Sequence, residues 1–175
     1  FGPHYGLNRL LSPANPNRHF IAYTDLGLAR SDDAGQSWQL LRQYGPNCYA
    51  ILFDPARPQR AWMALGQTHD IPNNNIVIGS HFSPDRNVGC LICTEDNGDH
   101  FTPCINGLPP SPSTELFDDC GFPAFAGTVV SLAIDPHSPL EARTLYASLF
   151  EQGVFRSSDG GRSWHPFSEG LGVPG

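Results

Sequence analysis

Three eight-residue stretches constrain the fold of this chain more than any other feature. SDDAGQSW (31–38), TEDNGDHF (94–101) and SSDGGRSW (157–164) share the pattern Ser/Thr-x-Asp-x-Gly-x-x-Trp/Phe. The shared members are Ser31, Asp33, Gly35 and Trp38; Thr94, Asp96, Gly98 and Phe101; and Ser157, Asp159, Gly161 and Trp164. Asp33 to Asp96 and Asp96 to Asp159 each span 63 residues. A motif returning along a chain means one supersecondary unit copied in tandem. Local turn chemistry explains each residue type. The Asp carboxylate accepts backbone N–H groups of its own turn, Gly supplies a positive φ, and the aromatic residue opens an outgoing strand and buries there.

The flanking sequence has a common layout. Before the third motif, TVVSLAIDPHSP (128–139) is an apolar run stopped by Asp-Pro, RTLYASLF (143–150) alternates, GVFRSS (153–158) enters the motif and SWHPF (163–167) leaves it. The second unit reads NCYAILFDPARP, RAWMALG, GCLICT and HFTPCI, and the first GLNRLLSPANP, RHFIAYT, GLARS and SWQLL. Each unit is therefore four short strands separated by turns. From the prolines that close the first strands (Pro13, Pro55, Pro136) to the motif Asp the distances are 20, 41 and 23 residues. The second unit thus carries an insertion over about 67–88, and a second long connection precedes the third unit. The expected fold is all-β: three four-stranded antiparallel blades of a β-propeller, at about 6–42, 47–106 and 128–168, with a connector at 107–127. Propeller rings typically hold about 4 to 8 blades. Three are an incomplete ring, whose remaining blades are expected from the same chain or a partner subunit.

Charge and cysteine usage narrow the function. The formal net charge is −7, and the ten basic residues are all arginines, scattered along the chain. No basic stripe exists to neutralise phosphates, which argues against nucleic-acid binding. No run approaches the roughly 18 apolar residues of a membrane-spanning helix, and no signal peptide is visible. The chain begins at Phe1 and its only methionine is Met63, which reads as a processed product or a piece of a longer chain. Cys90 and Cys93 form C-x-x-C, but no second such pair follows, so neither a zinc site nor any other metal or cofactor is expected. The motif also lacks the downstream Glu of a calcium loop. A turn-dense β-protein with five cysteines fits an extracellular or periplasmic setting with one or two disulfides. Counting from the second motif puts Cys90 near Cys104, with Cys104–Cys120 competing and Cys48 the unpaired candidate.

The triple motif resembles the Asp-box, or BNR, repeat. It occurs in sialidases, xyloglucanase-type glycoside hydrolases, sortilin-type receptors and a photosystem II assembly factor. The resemblance covers nearly the whole chain and implies a propeller with the motif on its periphery, away from any ligand cleft. The sialidase Arg-Ile-Pro stretch and arginine cluster are absent from this sequence. A closer likeness is local. FIAYTDLGLARS (20–31) is similar to the Y-A-R-T-D-x-G-G-x-Y-R segment of xyloglucanase-type hydrolases, whose Asp is the general base of an inverting mechanism. The matching position is Asp25, although Tyr23 stands where Arg is usual and Leu28 replaces the second Gly.

Two further loops follow second strands. GQTHDIP (66–72) opens the insertion with His69 and Asp70, and SLFEQGVF (148–155) carries Glu151. Asp25, His69, Asp70 and Glu151 are accordingly the candidates for a binding rim. Such a rim suits a polyhydroxylated sugar, a cation or a basic partner. Two functions follow: a secreted, glycan-directed protein that is glycosidase-like or carbohydrate-binding, or a non-enzymatic module docking into a larger extracellular or membrane-attached complex through its incomplete ring and the Pro-rich segment at 107–123.

Overall fold

The computed structural model describes residues 8–68, 71, 87–111, 116–117 and 121–171. Among these described residues fifteen strands follow one another: β1 (Asn8–Leu11), β2 (His19–Tyr23), β3 (Gly27–Ser31), β4 (Gln39–Leu40), β5 (Asn47–Asp54), β6 (Arg57–Gly66), β7 (Val88–Thr94), β8 (Thr102–Pro103), β9 (Leu116–Phe117), β10 (Phe122–Pro123), β11 (Phe125–Ala126), β12 (Val129–Ile134), β13 (Leu145–Leu149), β14 (Gly153–Ser157) and β15 (His165–Pro166). They build three antiparallel meanders, β1–β4, β5–β8 and β12–β15, here blades 1, 2 and 3. Each second strand pairs the Ser or Thr of its motif at the same register place: His19 pairs Ser31, Ala61 pairs Thr94 and Leu145 pairs Ser157. This common register lets any position in one blade be matched to its counterparts in the others.

The blades pack face to face, and burial follows from what covers each face. Blade 2 is the middle one, and every residue from Ala61 to Gly66 is buried. Ala61, Met63, Leu65, Cys90 and Ile92 face blade 1 and join Phe20, Ala22, Leu28 and Leu41. Trp62, Ala64 and Leu91 face the other way and join Val129, Leu145, Ala147, Leu149, Phe155 and Trp164 of blade 3. Met63 and Leu65 have no exposed surface, and burial on that scale contributes about 1.5–3 kcal/mol per side chain. By contrast β13 alternates, with Leu145, Ala147 and Leu149 buried and Tyr146 and Ser148 only half-buried. Only one of its faces is covered, which is the period-2 pattern of a strand packed on one side.

The connector does more than span a gap. β8 pairs only the motif end of β7, through Ile92 and Cys93. The rest of that edge is taken by β11, whose Phe125 and Ala126 pair Gly89 and Val88. An unpaired edge is a liability, and here the connector fills it. Phe122 stacks on Tyr44 at 5.8 Å, so the segment also reaches back to blade 1. The described residues of this stretch thus pack on the chain's own blades.

The cysteine expectation is corrected as well. Cys48, Cys90, Cys93 and Cys104 are thiols, and Cys120 lies outside the described residues. The Cys104 N–H donates to the Leu91 carbonyl at 2.7 Å, so Cys104 stands one register place away from Cys90. One place flips a side chain to the opposite face: Cys90 points to blade 1, and Cys104 to blade 3. Cys93 shares the face of Cys104, and its thiol is lowered to about 7 by a hydrogen bond with the Cys104 thiol, against the opposing effect of burial.

Candidate functional site

The two ends of each blade carry different chemistry. At one end sits the motif corner, nearly identical in all three blades. Ser31 Oγ donates to Asp33 Oδ1 at 2.7 Å and accepts the Gly35 N–H at 2.8 Å, while Asp33 accepts the Ser37 N–H at 2.8 Å and its hydroxyl at 2.6 Å. Ser157, Asp159, Gly161 and Ser163 repeat these bonds at 2.8, 2.8, 2.9 and 2.6 Å. In blade 2, Thr94 and Asp96 do the same, with His100 Nδ1 taking the place of the serine hydroxyl at 2.6 Å. The Ser37 hydroxyl and N–H hold Asp33 well below the ordinary carboxylate range. Partial burial opposes the same effect at Asp96 and Asp159, and the hydrogen bonds outweigh it. A carboxylate so fully engaged by its own turn has little capacity left for a substrate.

The corner also locks blade to blade. Arg30 Nη1 donates to the Gly98 carbonyl at 2.7 Å and Arg18 Nη1 to the Asn97 carbonyl at 2.9 Å. Trp62 Nε1 donates to the Gly160 carbonyl at 3.1 Å. Asp54 and Arg143, both buried, form a two-pronged bridge from blade 2 to blade 3 at 2.8 and 2.9 Å. Burial raises the Asp54 pKa, but the Arg143 guanidinium more than offsets this and holds it low.

The opposite end, the lip, holds the loops after the second strands. Tyr23 pairs Gly27 across the three-residue turn Thr24–Asp25–Leu26, and Leu149 pairs Gly153 across Phe150–Glu151–Gln152. Both central residues are acidic, exposed and left-handed, Asp25 at φ 84° and Glu151 at φ 57°. Asp tolerates this region better than most residues, and Glu held there is strained. Gly27 is required by close approach: a Cβ on it would lie 2.2 Å from the Gly45 carbonyl oxygen. That approach brings the segment after β4 against the turn. Asp25, Leu26, Arg42, Gly45 and Pro46 then line an open cleft of about 210 Å³.

Two residues here escaped the sequence reading. Arg42 sets a cation in the cleft of Asp25. Asn47, 1% exposed, accepts the Asp25 N–H at 2.8 Å through Oδ1 and donates through Nδ2 to the Gly66 and Gln67 carbonyls at 3.0 and 3.1 Å. It ties the blade 1 turn to the mouth of the insertion. Its signal was available: an Asn heading a strand that is otherwise apolar needs partners when buried. His69 and Asp70 lie outside the described residues, but their flanks are anchored. Tyr49 Oη donates to the Thr68 carbonyl at 2.5 Å and accepts the Ile71 N–H at 3.4 Å.

Three side-by-side meanders with shared register, stacked through alternate faces, are successive blades. The chain folds as part of a β-propeller. It is similar to an ancestral GH74 enzyme, at TM-score 0.59 and 18% identity over 93% of this chain and 19% of that one. It is also similar to the GH74 xyloglucanase from Xanthomonas campestris (TM-score 0.42, 18% identity, 96% and 31% covered) and to YCF48 bound to D1 peptide (TM-score 0.47, 13% identity, 93% and 40% covered). The chain spans about a fifth of the first of these. No family model matches it, and no curated protein does. Among the described residues no helix is long and apolar enough to cross a membrane.

Proposed function

We propose that this propeller segment is glycan-directed, and that a polysaccharide binds at its lip. The observation that carries the reading is Asp25. It is an exposed carboxylate in a left-handed turn, its backbone held by buried Asn47, in an open cleft shared with Arg42. Sugar hydroxyls both donate and accept. A carboxylate and a guanidinium side by side offer an acceptor and a fork of donors, and an open cleft admits a chain. Glu151 and the His69–Asp70 stretch are the further rim residues. If the whole protein hydrolyses its ligand with inversion, Asp25 is the general base, and the general acid stands about 6.5–9.5 Å away, contributed from outside this chain. Export to an extracellular or periplasmic compartment belongs to the same reading, because that is where a polysaccharide is met.

Calorimetry with soluble polysaccharides, xyloglucan among them, tests it. Binding by the wild type, lost at least tenfold in Asp25→Asn, is expected. Equal affinity in the variant removes Asp25 from the site. Reducing-sugar release in the same samples separates hydrolysis from binding. A second reading, a module for protein assembly, is favoured by one specific observation: Trp38 and Phe167 are 37% and 50% exposed, although their counterparts in neighbouring blades are buried.

A further inference from the structure

Blade 2 carries two touching thiols at places where its sister blades carry none. Cys93 stands one place before Thr94, paired with Trp62 on one side and Thr102 on the other. In blades 1 and 3 that place belongs to Arg30 and Arg156. Cys104 matches Leu41 and Phe167, since the backbone N–H of each donates to the matching third-strand carbonyl, that of Leu91, Leu28 or Val154. The two places are diagonal neighbours on one face of the sheet. Blade 3 shows that side chains there meet: Arg156 lies over the Phe167 ring at 5.6 Å. The same corner therefore closes with Arg and Leu or with Arg and Phe, and the fold does not call for sulfur at either place.

The two sulfurs have different surroundings. Cys104 is 6% exposed and packs toward blade 3 with Trp164. Cys93 is half-buried, its Sγ 3.2 Å from Thr102 Oγ1. The charges nearest to it, Arg60 and Glu95, are paired with each other, Arg60 Nε donating to Glu95 Oε1 at 2.6 Å. The Cys104 thiol donates to Cys93 Sγ. That bond lowers the Cys93 thiol to about 7 against the effect of burial, and pushes the Cys104 thiol up, with burial adding to it. Near neutral pH Cys93 is the thiolate of the pair and Cys104 holds the proton. Cys48 and Cys90 are buried on the opposite face, and burial pushes the Cys48 thiol up to about 12.

We propose that Cys93 and Cys104 form an oxidative modification site for small hydroperoxides, with Cys93 attacking and Cys104 resolving. A partly accessible, reactive thiol beside a second one is the arrangement that reversible thiol oxidation uses. The Cys93 thiolate attacks one peroxide oxygen. An S–O bond forms, the O–O bond breaks, and the other oxygen leaves as hydroxide, which takes up a proton to become water. Cys93 is then a sulfenic acid. The Cys104 sulfur attacks the Cys93 sulfur, the S–O bond breaks, and the hydroxyl leaves with the Cys104 proton as water. Two thiols have lost two electrons and two protons, and hydrogen peroxide has become two waters. Diagonal places stand about 7–8 Å apart, slightly beyond the usual span of a disulfide. Cys104 lies past the end of the two-residue strand β8, so little sheet resists the small approach required. A bond closed this way is readily reopened by a dithiol. It encircles residues 94–103, the corner whose Asn97 and Gly98 carbonyls accept Arg18 and Arg30 from blade 1. Oxidation thus fastens the corner that joins the first two blades. The site is independent of what the lip binds.

Mass-spectrometric mapping of the intact protein after treatment with hydrogen peroxide tests it. Cleavage before aspartate parts the two cysteines, because Asp96 and Asp99 lie between them. A Cys93–Cys104 linked peptide is expected, lost on treatment with a dithiol, while Cys48 and Cys90 are still alkylated after unfolding. Cys90→Ser keeps the linkage. In Cys104→Ser the resolving thiol is gone, and dimedone captures the sulfenic acid at Cys93. In Cys93→Ser neither linkage nor adduct forms. The wild-type map needs no substitution, so a variant that fails to fold does not decide the outcome. Absence of the linkage after peroxide, or linkage of Cys104 to Cys90 or Cys120 instead, overturns the pair. A dimedone adduct on another cysteine in Cys104→Ser overturns the role of Cys93.

Discussion

The motif corner and the lip terminate the same strands, yet they obey opposite rules. At the corner Asp33, Asp96 and Asp159 spend their carboxylate oxygens on their own turns, and Arg18, Arg30, Trp62 and Arg143 bolt neighbouring blades together. At the lip the loops of blades 1 and 3 are three-residue turns whose central Asp25 and Glu151 are exposed in left-handed geometry. Repetition marks what every blade needs in order to fold. Exposed loops on a rigid scaffold are where binding residues concentrate, and the proposed ligand site lies there.

The sharpest way to break the corner is to unpair its buried charge. Asp54→Ala leaves Arg143 buried at 1% exposure without its counter-ion, and we expect a loss of about 3–5 kcal/mol in urea unfolding. Replacing both partners, Asp54→Leu with Arg143→Met, should recover most of that loss. If the double variant is as weak as the single one, the bridge is not the source of the effect.

Asp159→Ala comes next. It strips acceptors from Ser157 and Ser163 and should cost about 1–2 kcal/mol. The same change at Asp33 should cost less, because its corner lies beside the exposed Trp38 on the open face.

Acid acts on all of these corners together. Asp33, Asp54, Asp96 and Asp159 have folded pKa values below the ordinary one. The stability they contribute is fully present above the unfolded pKa of about 4 and is lost as pH falls through the folded values. The thermal midpoint should therefore drop below about pH 4, less steeply in Asp159→Ala than in the wild type. A midpoint that falls equally in both would show that the corner carboxylates are not responsible.

The smallest expected effect on stability, and the most informative about function, lies at the lip. Asp25→Asn with Glu151→Gln should shift unfolding by no more than about 0.5 kcal/mol while weakening polysaccharide binding. An unfolding shift as large as that of Asp159→Ala would mean that the lip is a structural corner too.

Much of the fold was legible in the chain because its causes are local. A Ser or Thr two residues before an Asp and four before a Gly closes its own turn, so Ser31, Thr94 and Ser157 announce the third-to-fourth-strand corners without knowledge of the rest. Alternation announces β13, and the spacing from Pro55 to Asp96 announces the insertion. What remained hidden depends on which faces meet. The side on which Cys104 points is set by a register one place from the expected one. The strand β11 exists because β8 is too short to cover the edge of β7. Arg42 comes to Asp25 only when Gly27 and Gly45 touch, and Asn47 matters because it bridges two blades.

The sequence by itself determined the repeat, the strands and the motif corners, since hydrogen bonds within a few residues suffice to define them. The tertiary structure alone decided which aromatic residues are sheltered and which stand open. Phe101 and Trp164 are buried and Trp38 is not, although all three hold the same place in the same motif. Burial depends on whether another blade lies against that face, and that neighbour is contributed by a distant part of the chain or by another molecule.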